Sequence, residues 1–420
     1  MHITVMAVGS RGDVQPFVAL GVGLQRSGHV VRIATHDIHS ELVLGHGLEF
    51  ASAGGNPKEM LQTLTGQAWL NSGRNLVAFW RRFRKLVGTA IEESFSCAEE
   101  ACRGTEAVMF TFFGAPGYHV AEQMGVPHVM GLLQPFTRTR EFPYCMAPPV
   151  PFGGTYNWWS YVLAEQMAWM VGRKWTNRWR TQSLGLDPLP WRTPFTHLYA
   201  TGEPFIYGFS EHVVPRPRDW PSTHEITGYW FLNDEDDWSP PSDLVDFLSS
   251  GPPPVYVGFG SMTGRIAEEL TAIAVEAVTL AKQRAVLVGG WATVVDRDLP
   301  DTVFALDAVP HRWLFPRMAA VVHHGGAGTT AAGLRAGIPN VVVPFFADQP
   351  FWGKRVHALG AGPRPLSRKS LTSRKLAAAI TQATADRETQ RRAFLLGEKL
   401  GPEDGVGRAV ERVTACLSAA

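Results

Sequence analysis

Apolar residues along the chain switch between short continuous runs and helical spacing. Residues 2–8 form an apolar run with few polar breaks, which is typical of a strand buried on both faces. A glycine turn follows at residues 9–13, and apolar side chains then recur at helical spacing over residues 14–27. The next apolar run covers residues 30–34. This order predicts a strand–helix–strand unit and hence a parallel sheet.

The same order begins again in the second half of the chain. Residues 255–259 predict a strand, residues 260–264 a turn rich in glycine, and residues 268–282 a helix. Other apolar runs predict further strands at residues 107–113, 128–133, 285–288, 302–306, 319–323 and 340–343. A broken helical pattern covers residues 61–103. The chain is therefore predicted to be an α/β protein with two domains of one architecture.

A change of composition separates the two halves. Residues 233–237 form an acidic run, and prolines at 240–241 and 252–254 stiffen the segment on each side of a short helix. We predict a first domain at residues 1–232, a linker at 233–254 and a second domain at 255–400. The Asp-x-Asp spacing in the acidic run would suit a metal-bound nucleotide. Acidic runs are usually solvated, however, so we expect no metal site.

Composition narrows the functional classes. The net charge of +1 leaves no basic field for nucleic acid. Four scattered cysteines form no Cys-x-x-Cys pair, which disfavours a zinc site and favours a reducing cytoplasm. No apolar run approaches the ~20 residues of a membrane helix, and no leader sequence is visible. We therefore expect a cytoplasmic protein; no pattern indicates an oligomeric state.

An aromatic-rich helix is predicted at residues 156–180. It carries five tryptophans, among them Trp158 and Trp159, and basic residues flank them at 173, 174, 178 and 180. Three interpretations remain open: a core helix, a lid over an acceptor pocket, and a helix at a membrane surface. The last would make the protein peripheral to a membrane.

The most specific motif is the turn at residues 323–330, His-His-Gly-Gly-Ala-Gly-Thr-Thr. It follows a predicted buried strand and leads into helical residues 331–336. Small residues let a ligand approach the backbone, and the N–H groups of a helix start favour an anion. We predict that the turn binds a diphosphate, with a histidine before it as a further donor. Neither a dinucleotide fingerprint nor an ATPase phosphate loop is present.

A second polar pair follows the next predicted strand. Asp348 and Gln349 combine a carboxylate, which accepts hydrogen bonds, with an amide that both donates and accepts. Such groups suit the hydroxyls of a sugar. Together with the diphosphate turn, they indicate a nucleotide-sugar site.

These motifs resemble a known family. Residues 309–349 look like the donor signature of UDP-sugar glycosyltransferases of the GT-B fold, glycosyltransferase family 1. The opening Gly-Ser-Arg-Gly-Asp-Val-Gln-Pro, at 9–16, resembles the branch of sterol glucosyltransferases and bacterial antibiotic glycosyltransferases. Phe-Thr-Arg-Thr-Arg at 136–140 resembles the sterol group. The resemblance implies two Rossmann-like doubly wound domains facing each other across a cleft. It also implies that a helix at 401–420 packs back on the first domain.

The resemblance also implies residue roles. Asp13 would be the catalytic base. The nucleotide-sugar would be bound by Ser10, Arg11, Gly12, Ser261, Trp291, Val309, His311, His323, Ala327, Gly328, Thr329, Asp348 and Gln349. Phe112, Phe136, Trp158 and Trp159 are candidates for acceptor contacts. No prosthetic group or metal is expected, and a UDP-sugar, UDP-glucose above all, is the expected donor substrate.

The expected reaction is a single displacement. The acceptor hydroxyl attacks C1 of the hexose opposite the diphosphate, so an α-linked donor gives a β-glycoside. The acceptor is expected to be lipophilic: a sterol, a triterpenoid or a polyketide. The alternatives are an epimerase of nucleotide-sugars and an antibiotic glycosyltransferase that uses a dTDP-deoxysugar. For Asp13 itself, the alternative to a base is a helix N-cap.

Overall fold

The computed structural model describes residues 1–56, 59, 63, 66, 76–87, 91–148, 150–232, 238–260, 265–289 and 299–418. Ser261, Trp291 and the acidic run at 233–237 lie outside these residues. The chain divides into two compact units. Unit 1 comprises Met1–Asn233 and Asp404–Ala420, and unit 2 comprises Asp234–Glu403.

Unit 1 is built on a sheet of seven parallel strands. The strands are β1 His2–Met6, β2 Val30–Thr35, β3 Glu49–Ser52, β4 Ala107–Phe110, β5 His128–Leu132, β6 Phe205–Tyr207 and β7 His224–Ile226. Their order across the sheet is β3-β2-β1-β4-β5-β6-β7, and every pair is parallel. The central strands β1 and β4 are almost entirely buried. This explains why they lack a polar face in the sequence.

Helices connect these strands. They are α1 Arg11–Arg26, α2 Ser40–Leu44, α3 Leu76–Val87, α4 Ile91–Ala101, α5 Pro116–Met124, α6 Gly153–Trp179 and α7 Phe195–Thr201. A 3-10 turn covers Asp37–His39, and a π-helical turn at Arg180–Leu184 extends α6. Among the described residues, no helix is both long and apolar enough to cross a bilayer.

Unit 2 repeats the plan with five parallel strands. They are β8 Val255–Gly258, β9 Ala285–Val288, β10 Val303–Leu306, β11 Ala320–His323 and β12 Asn340–Val342, in the order β10-β9-β8-β11-β12. The helices are α8 Ser242–Ser249, α9 Arg265–Leu280, α10 His311–Leu314, α11 Ala327–Arg335, α12 Gln349–Ala358, α13 Ser373–Ala385 and α14 Arg387–Leu400. Two 3-10 turns cover Phe315–Arg317 and Arg368–Ser370.

A helix that follows unit 2 in the sequence completes the core of unit 1. Helix α15, Gly405–Ser418, contributes Val413 and Leu417 to the same apolar cluster as the first strands. It packs against α1 at Gly23, where a Cβ would come within 2.7 Å of Val406 and 2.9 Å of Val410. Glycine at this position therefore lets the two helices approach closely.

The predicted α/β fold is confirmed, while several element boundaries differ. Helix α1 begins at Arg11 rather than at 14, and α11 begins at Ala327 rather than at 331. The strand predicted at 107–113 ends at Phe110, and the Thr111 hydroxyl accepts from the Gly114 backbone N–H at 3.1 Å in the turn that follows. Apolar periodicity did not reveal β3, β6 and β7, which have only three or four residues each.

Removing the Leu417 side chain tests the contribution of α15 to unit 1. Because Leu417 is 2% exposed in the core, we expect Leu417→Ala to lower the free energy of unfolding by roughly 2 kcal/mol or more. Calorimetry should show the loss in the transition of unit 1. The matched control, Phe394→Ala, removes an exposed side chain of α14 and should change stability by less than about 0.5 kcal/mol. Equal effects of the two variants would contradict the assignment.

Candidate active site

The strand order of each sheet reverses at one point. In unit 1 the reversal lies between β1 and β4, and in unit 2 between β8 and β11. In open parallel sheets, ligands bind beyond the carboxyl ends of the strands at such a point. The segments that follow these strands are 7–13 and 111–114 in unit 1, and 259–260 and 324–326 in unit 2. Most of the predicted site residues lie in or beside these segments.

Asp13 lies in the first turn of α1, three residues after the N-cap Ser10. Its Oδ2 accepts hydrogen bonds from the Ser10 backbone N–H at 2.8 Å and from the Ser10 hydroxyl at 2.7 Å. Asp13 thus takes the acidic position of a capping box, and Ser10 is the N-cap residue that the sequence alternative gave to Asp13. A carboxylate with one oxygen fixed in this way has a defined orientation, which a positioned base requires.

The environment of Asp13 favours a proton acceptor. The side chain is exposed, so a small molecule can reach it. Desolvation by the surrounding protein nevertheless raises the pKa of Asp13, and the bonds from Ser10 and the nearby His39 and His36 partly offset this. A carboxylate with a raised pKa is a stronger base than an ordinary one.

Two buried histidines pack behind the Asp13 turn, and the sequence patterns gave no sign of them. His39 lies 3.3 Å from the Gly9 carbonyl through Nε2, and His36 lies 2.7 Å from the Gly54 carbonyl through Nδ1. Burial lowers the pKa of His39. Gly9 has φ +149°, and a Cβ there would lie 2.6 Å from Asp13 Oδ2. The turn therefore requires glycine beside the carboxylate.

Aromatic rings cluster at the same edge of the unit 1 sheet. Phe112, which follows β4, lies 5.1 Å from Phe136 and 6.2 Å from both Phe195 and Trp80 between ring centroids. Phe113 extends the cluster and is 42% exposed. The structure therefore brings two of the predicted acceptor residues together, just beyond the ends of β4 and β5.

The two adjacent tryptophans of α6 have different surroundings. Trp158 is half-buried, and the Arg138 guanidinium lies 5.5 Å from its ring centroid. Arg138 in turn pairs with the buried Glu165 at 2.5 Å. Trp159 is exposed instead. The Trp159 side chain is therefore accessible from solvent. The structure does not support a role for it in lining a pocket within unit 1.

In unit 2, His323 stands at the end of β11 and is fully buried. Its Nδ1 accepts from the Gly325 backbone N–H at 3.1 Å, so Nε2 carries the proton and donates to Asn340 Oδ1 at 2.9 Å. Burial, with His324 beside it, lowers the pKa of His323 to about 3. Both ring nitrogens are engaged within the protein, so the predicted phosphate contact of His323 has no free donor.

The next residue, His324, differs from His323 because one of its ring nitrogens lacks a hydrogen-bond partner in the part of the chain that the structure describes. Its Nδ1 is buried without a hydrogen-bond partner among the described residues, and burial lowers its pKa to about 4. The His324 ring lies between the turn that follows β8 and the turn that follows β11. A Cβ added to Gly260 would lie 3.3 Å from the ring, and a Cβ added to Gly326 would lie 2.6 Å from it. A buried, unsatisfied nitrogen indicates a missing partner. The sequence motif contained this residue, but the prediction chose its neighbour.

Helix α11 begins directly after this turn. Its N-cap is Gly326, which has no side chain to cap the helix, so the first N–H groups at Ala327, Gly328 and Thr329 point out of the helix start. A Cβ added to Gly328 would meet nothing within 4 Å. The positive end of the helix dipole and open space beside it form a site suited to an anion.

Asp348 and Gln349 adjoin the same turn. The Gln349 backbone oxygen would lie 3.0 Å from a Cβ on Gly325, and the Gln349 Oε1 accepts from the N–H groups of Phe345 and Phe346 at 2.8 and 3.2 Å. Asp348 Oδ2 accepts from the Trp352 indole at 2.7 Å. Ala347, just before them, has φ +52°, a strained value of the kind that clusters at functional sites.

The remaining predicted donor residues lie after β10 in unit 2 and at the start of α1 in unit 1. Val309 is buried, and His311 is half-buried, stacked on Phe315 with centroids 4.3 Å apart. His311 Nε2 also lies 3.3 Å from the Tyr256 hydroxyl of β8. In unit 1, Arg11 and Gly12 are exposed at the start of α1, with Arg11 donating to Gln15 at 3.1 Å. Within the part of the chain that the structure describes, no three His, Cys, Asp or Glu side chains form a metal-binding group.

Comparison with known proteins agrees with this arrangement. Residues 3–143 match the model of the glycosyltransferase family 28 N-terminal domain. Residues 287–401 match the model of the C-terminal domain of erythromycin biosynthesis protein CIII-like proteins. The first match includes the Asp13 turn, and the second includes the His323–Gln349 region.

Three curated relatives share the name sterol 3-beta-glucosyltransferase. A sterol 3-beta-glucosyltransferase of Cryptococcus neoformans var. neoformans serotype D is 38% identical over 98% of this chain. Those of Debaryomyces hansenii and Emericella nidulans are 35% and 37% identical, also over 98%. The chain spans only 26–30% of the length of these three relatives.

Solved structures share the fold over the whole chain. The calicheamicin glycosyltransferase CalG4 has a TM-score of 0.73 at 20% identity and covers 99% of this chain and 98% of its own. The glycosyltransferase VinC, in complex with dTDP, has a TM-score of 0.66 at 20% identity, with each chain covered completely.

The buried state of His323 predicts a pH-dependent stability. Because its pKa is lowered in the fold, the unfolded chain binds more protons below pH about 6.5, and folding stability falls as the pH falls. We expect the stability advantage of the wild type over His323→Gln to shrink by on the order of 1 kcal/mol per pH unit from pH ~6.5 downward. Urea unfolding across this range measures it. A constant gap for His323→Gln across this range would contradict a neutral, buried imidazole.

Proposed function

The chain belongs to the glycosyltransferases of the GT-B fold, and from that premise we propose that it transfers a hexose from a UDP-sugar to a lipophilic alcohol. Unit 2 would bind the donor and unit 1 the acceptor. The observation that carries the proposal is the chemistry of the two sheet edges. One edge has a helix start with no side-chain cap, which suits an anion, and the other has an oriented carboxylate and aromatic rings.

The donor site is proposed on the turn between β11 and α11. The N–H groups at Ala327, Gly328 and Thr329 would bind the diphosphate, and His324 would add a hydrogen bond from its unsatisfied nitrogen. His323 would fix the turn rather than contact the ligand. Because the leaving diphosphate gains negative charge, these donors should stabilise the transition state more than the ground state.

The sugar and the base of the nucleotide are assigned to neighbouring segments. Asp348 and Gln349 would contact the sugar hydroxyls, and Val309 and His311 would frame the nucleoside. Ser261 and Trp291 stay predictions from the sequence, as do the contacts of Ser10, Arg11 and Gly12 with the donor.

The acceptor site is proposed on the aromatic cluster of unit 1. Phe112 and Phe136 would contact an apolar ring system, and Asp13 would take the proton of the attacking hydroxyl. Attack opposite the diphosphate inverts C1 and gives a β-glycoside. A sterol-like acceptor is favoured because the relatives are named sterol 3-beta-glucosyltransferases. The dTDP in the VinC structure keeps an antibiotic-type donor as the second candidate, and an epimerase is not favoured.

Replacing the proposed base separates chemistry from binding. Asp13→Asn keeps an oxygen for the two Ser10 bonds and loses the basic site. We expect hexosylated product to fall by roughly 10²–10⁴-fold, with nucleotide affinity unchanged. Mass spectrometry of reactions with UDP-glucose and a panel of sterols and polyketides, without added metal, measures the product. Turnover at the wild-type rate would show that Asp13 serves only as the acidic member of the capping box.

Replacing His324 tests the donor site. We expect His324→Ala to weaken UDP binding by roughly 10-fold, the loss of one hydrogen bond to a charged group. Titration calorimetry with UDP and with dTDP measures the affinities and ranks the two nucleotides. His357→Ala, at the other end of α12, is the control and should bind like the wild type. Unchanged affinity in His324→Ala would exclude the histidine from the site.

A further inference from the structure

The solvent-facing side of helix α6 carries large apolar side chains in its middle part. Trp159, Leu163 and Met170 are 51–58% exposed. At 100° per residue they lie within about 40° of one another around the helix. Phe152, immediately before the helix, is 73% exposed. These side chains therefore lie on one side of the helix, which we call the α6 face, with the polar Gln166 between Leu163 and Met170 on that side.

A loop extends the α6 face sideways. Trp191 is 60% exposed, and its backbone oxygen accepts from Gln166 Nε2 at 2.8 Å. The Trp169 indole donates to the Pro190 oxygen at 3.0 Å, which fixes the loop a second time. The exposed position of Trp191 is thus built into the structure by side-chain hydrogen bonds.

Positive charge lies at the C-terminal end of the α6 face. Lys174 and Arg178 are exposed on the following turns of α6. Arg84 of α3 lies over the Trp175 ring at 5.6 Å, which adds a third cation at this end. The only carboxylate of α6, Glu165, is buried in its pair with Arg138. The exposed positions of the helix accordingly carry cations and apolar groups together.

We propose that the α6 face docks on an anionic lipid surface. A helix that presents Trp, Leu and Met to solvent with Lys and Arg at its border has the composition of an interfacial helix. Charge complementarity selects the lipid, since anionic headgroups attract such cations. The proposal deepens the proposed function, because a lipophilic acceptor partitions into bilayers and docking would bring the enzyme to it.

Vesicle binding tests the proposal without donor or acceptor chemistry. The full chain is sedimented with vesicles of phosphatidylcholine alone and of equal parts phosphatidylcholine and phosphatidylserine. We expect binding to the mixed vesicles and at least ~10-fold weaker binding of the triple variant Trp159→Ser, Leu163→Ser, Met170→Ser. The control, Phe394→Ser with Leu395→Ser on α14, removes two apolar side chains that are 58% and 46% exposed and should bind like the wild type.

A second variant tests the role of charge. Lys174→Gln with Arg178→Gln should lose the preference for phosphatidylserine and keep the residual binding to phosphatidylcholine. Wild-type protein that binds neither vesicle, or a triple variant that binds like the wild type, would overturn the proposal. So would self-association that the triple variant abolishes in the absence of vesicles, because the face would then bind a second copy.

The outcomes also separate this surface from the proposed reaction. Wild-type binding to vesicles with no transfer to any acceptor would leave the surface intact and contradict the proposed function. If both hold, the triple variant should lose transfer to an acceptor within vesicles and keep transfer to a water-dispersed one.

Discussion

A neutral imidazole at the end of β11 holds together the part of unit 2 on which the proposed donor site depends. His323 accepts from Gly325 and donates to Asn340, so one side chain joins the turn to the start of the next strand. Gly325, in the same turn, has φ +89°. It leaves no room for a side chain, because a Cβ there would lie 2.7 Å from Val342. The position of His324 and the start of α11 both follow from this fixed turn.

The two sheet edges share one strand–turn–helix architecture, but one carries a negatively charged group and the other favours the binding of one. In unit 1 the turn after β1 presents a carboxylate that its N-cap serine orients. In unit 2 the turn after β11 presents a helix start and an unsatisfied imidazole nitrogen. The helix dipole is the same in both, yet Asp13 occupies the first turn in one and open space lies beside Gly328 in the other. One site is therefore suited to receive a proton and the other to receive an anion.

The sequence predicted the fold and most of the motifs because both depend on local patterns. Buried parallel strands give apolar runs, and glycine turns mark the strand ends. The sequence could not distinguish His323 from His324 as the phosphate contact, because adjacent residues at a strand end differ in direction, which only the pleat and the partner Asn340 decide. The available signal in the sequence was Asn340, a polar residue at the start of a buried strand, which indicates a buried polar partner for a nearby histidine. The histidines behind Asp13 had no signal, because only the fold brings His39 to the Gly9 carbonyl and His36 to the Gly54 carbonyl.

The discontinuity of unit 1 has a consequence for biosynthesis. Unit 2 lies between the two segments of unit 1, so the ribosome makes about 170 residues, 234–403, before α15 appears. At ~5–20 residues per second this takes on the order of 10–30 s. Throughout that interval the surface of α1 around Gly23 lacks the helix that covers it. Unit 2 is contiguous and has its own core, so the later-made unit is able to finish folding before the earlier one.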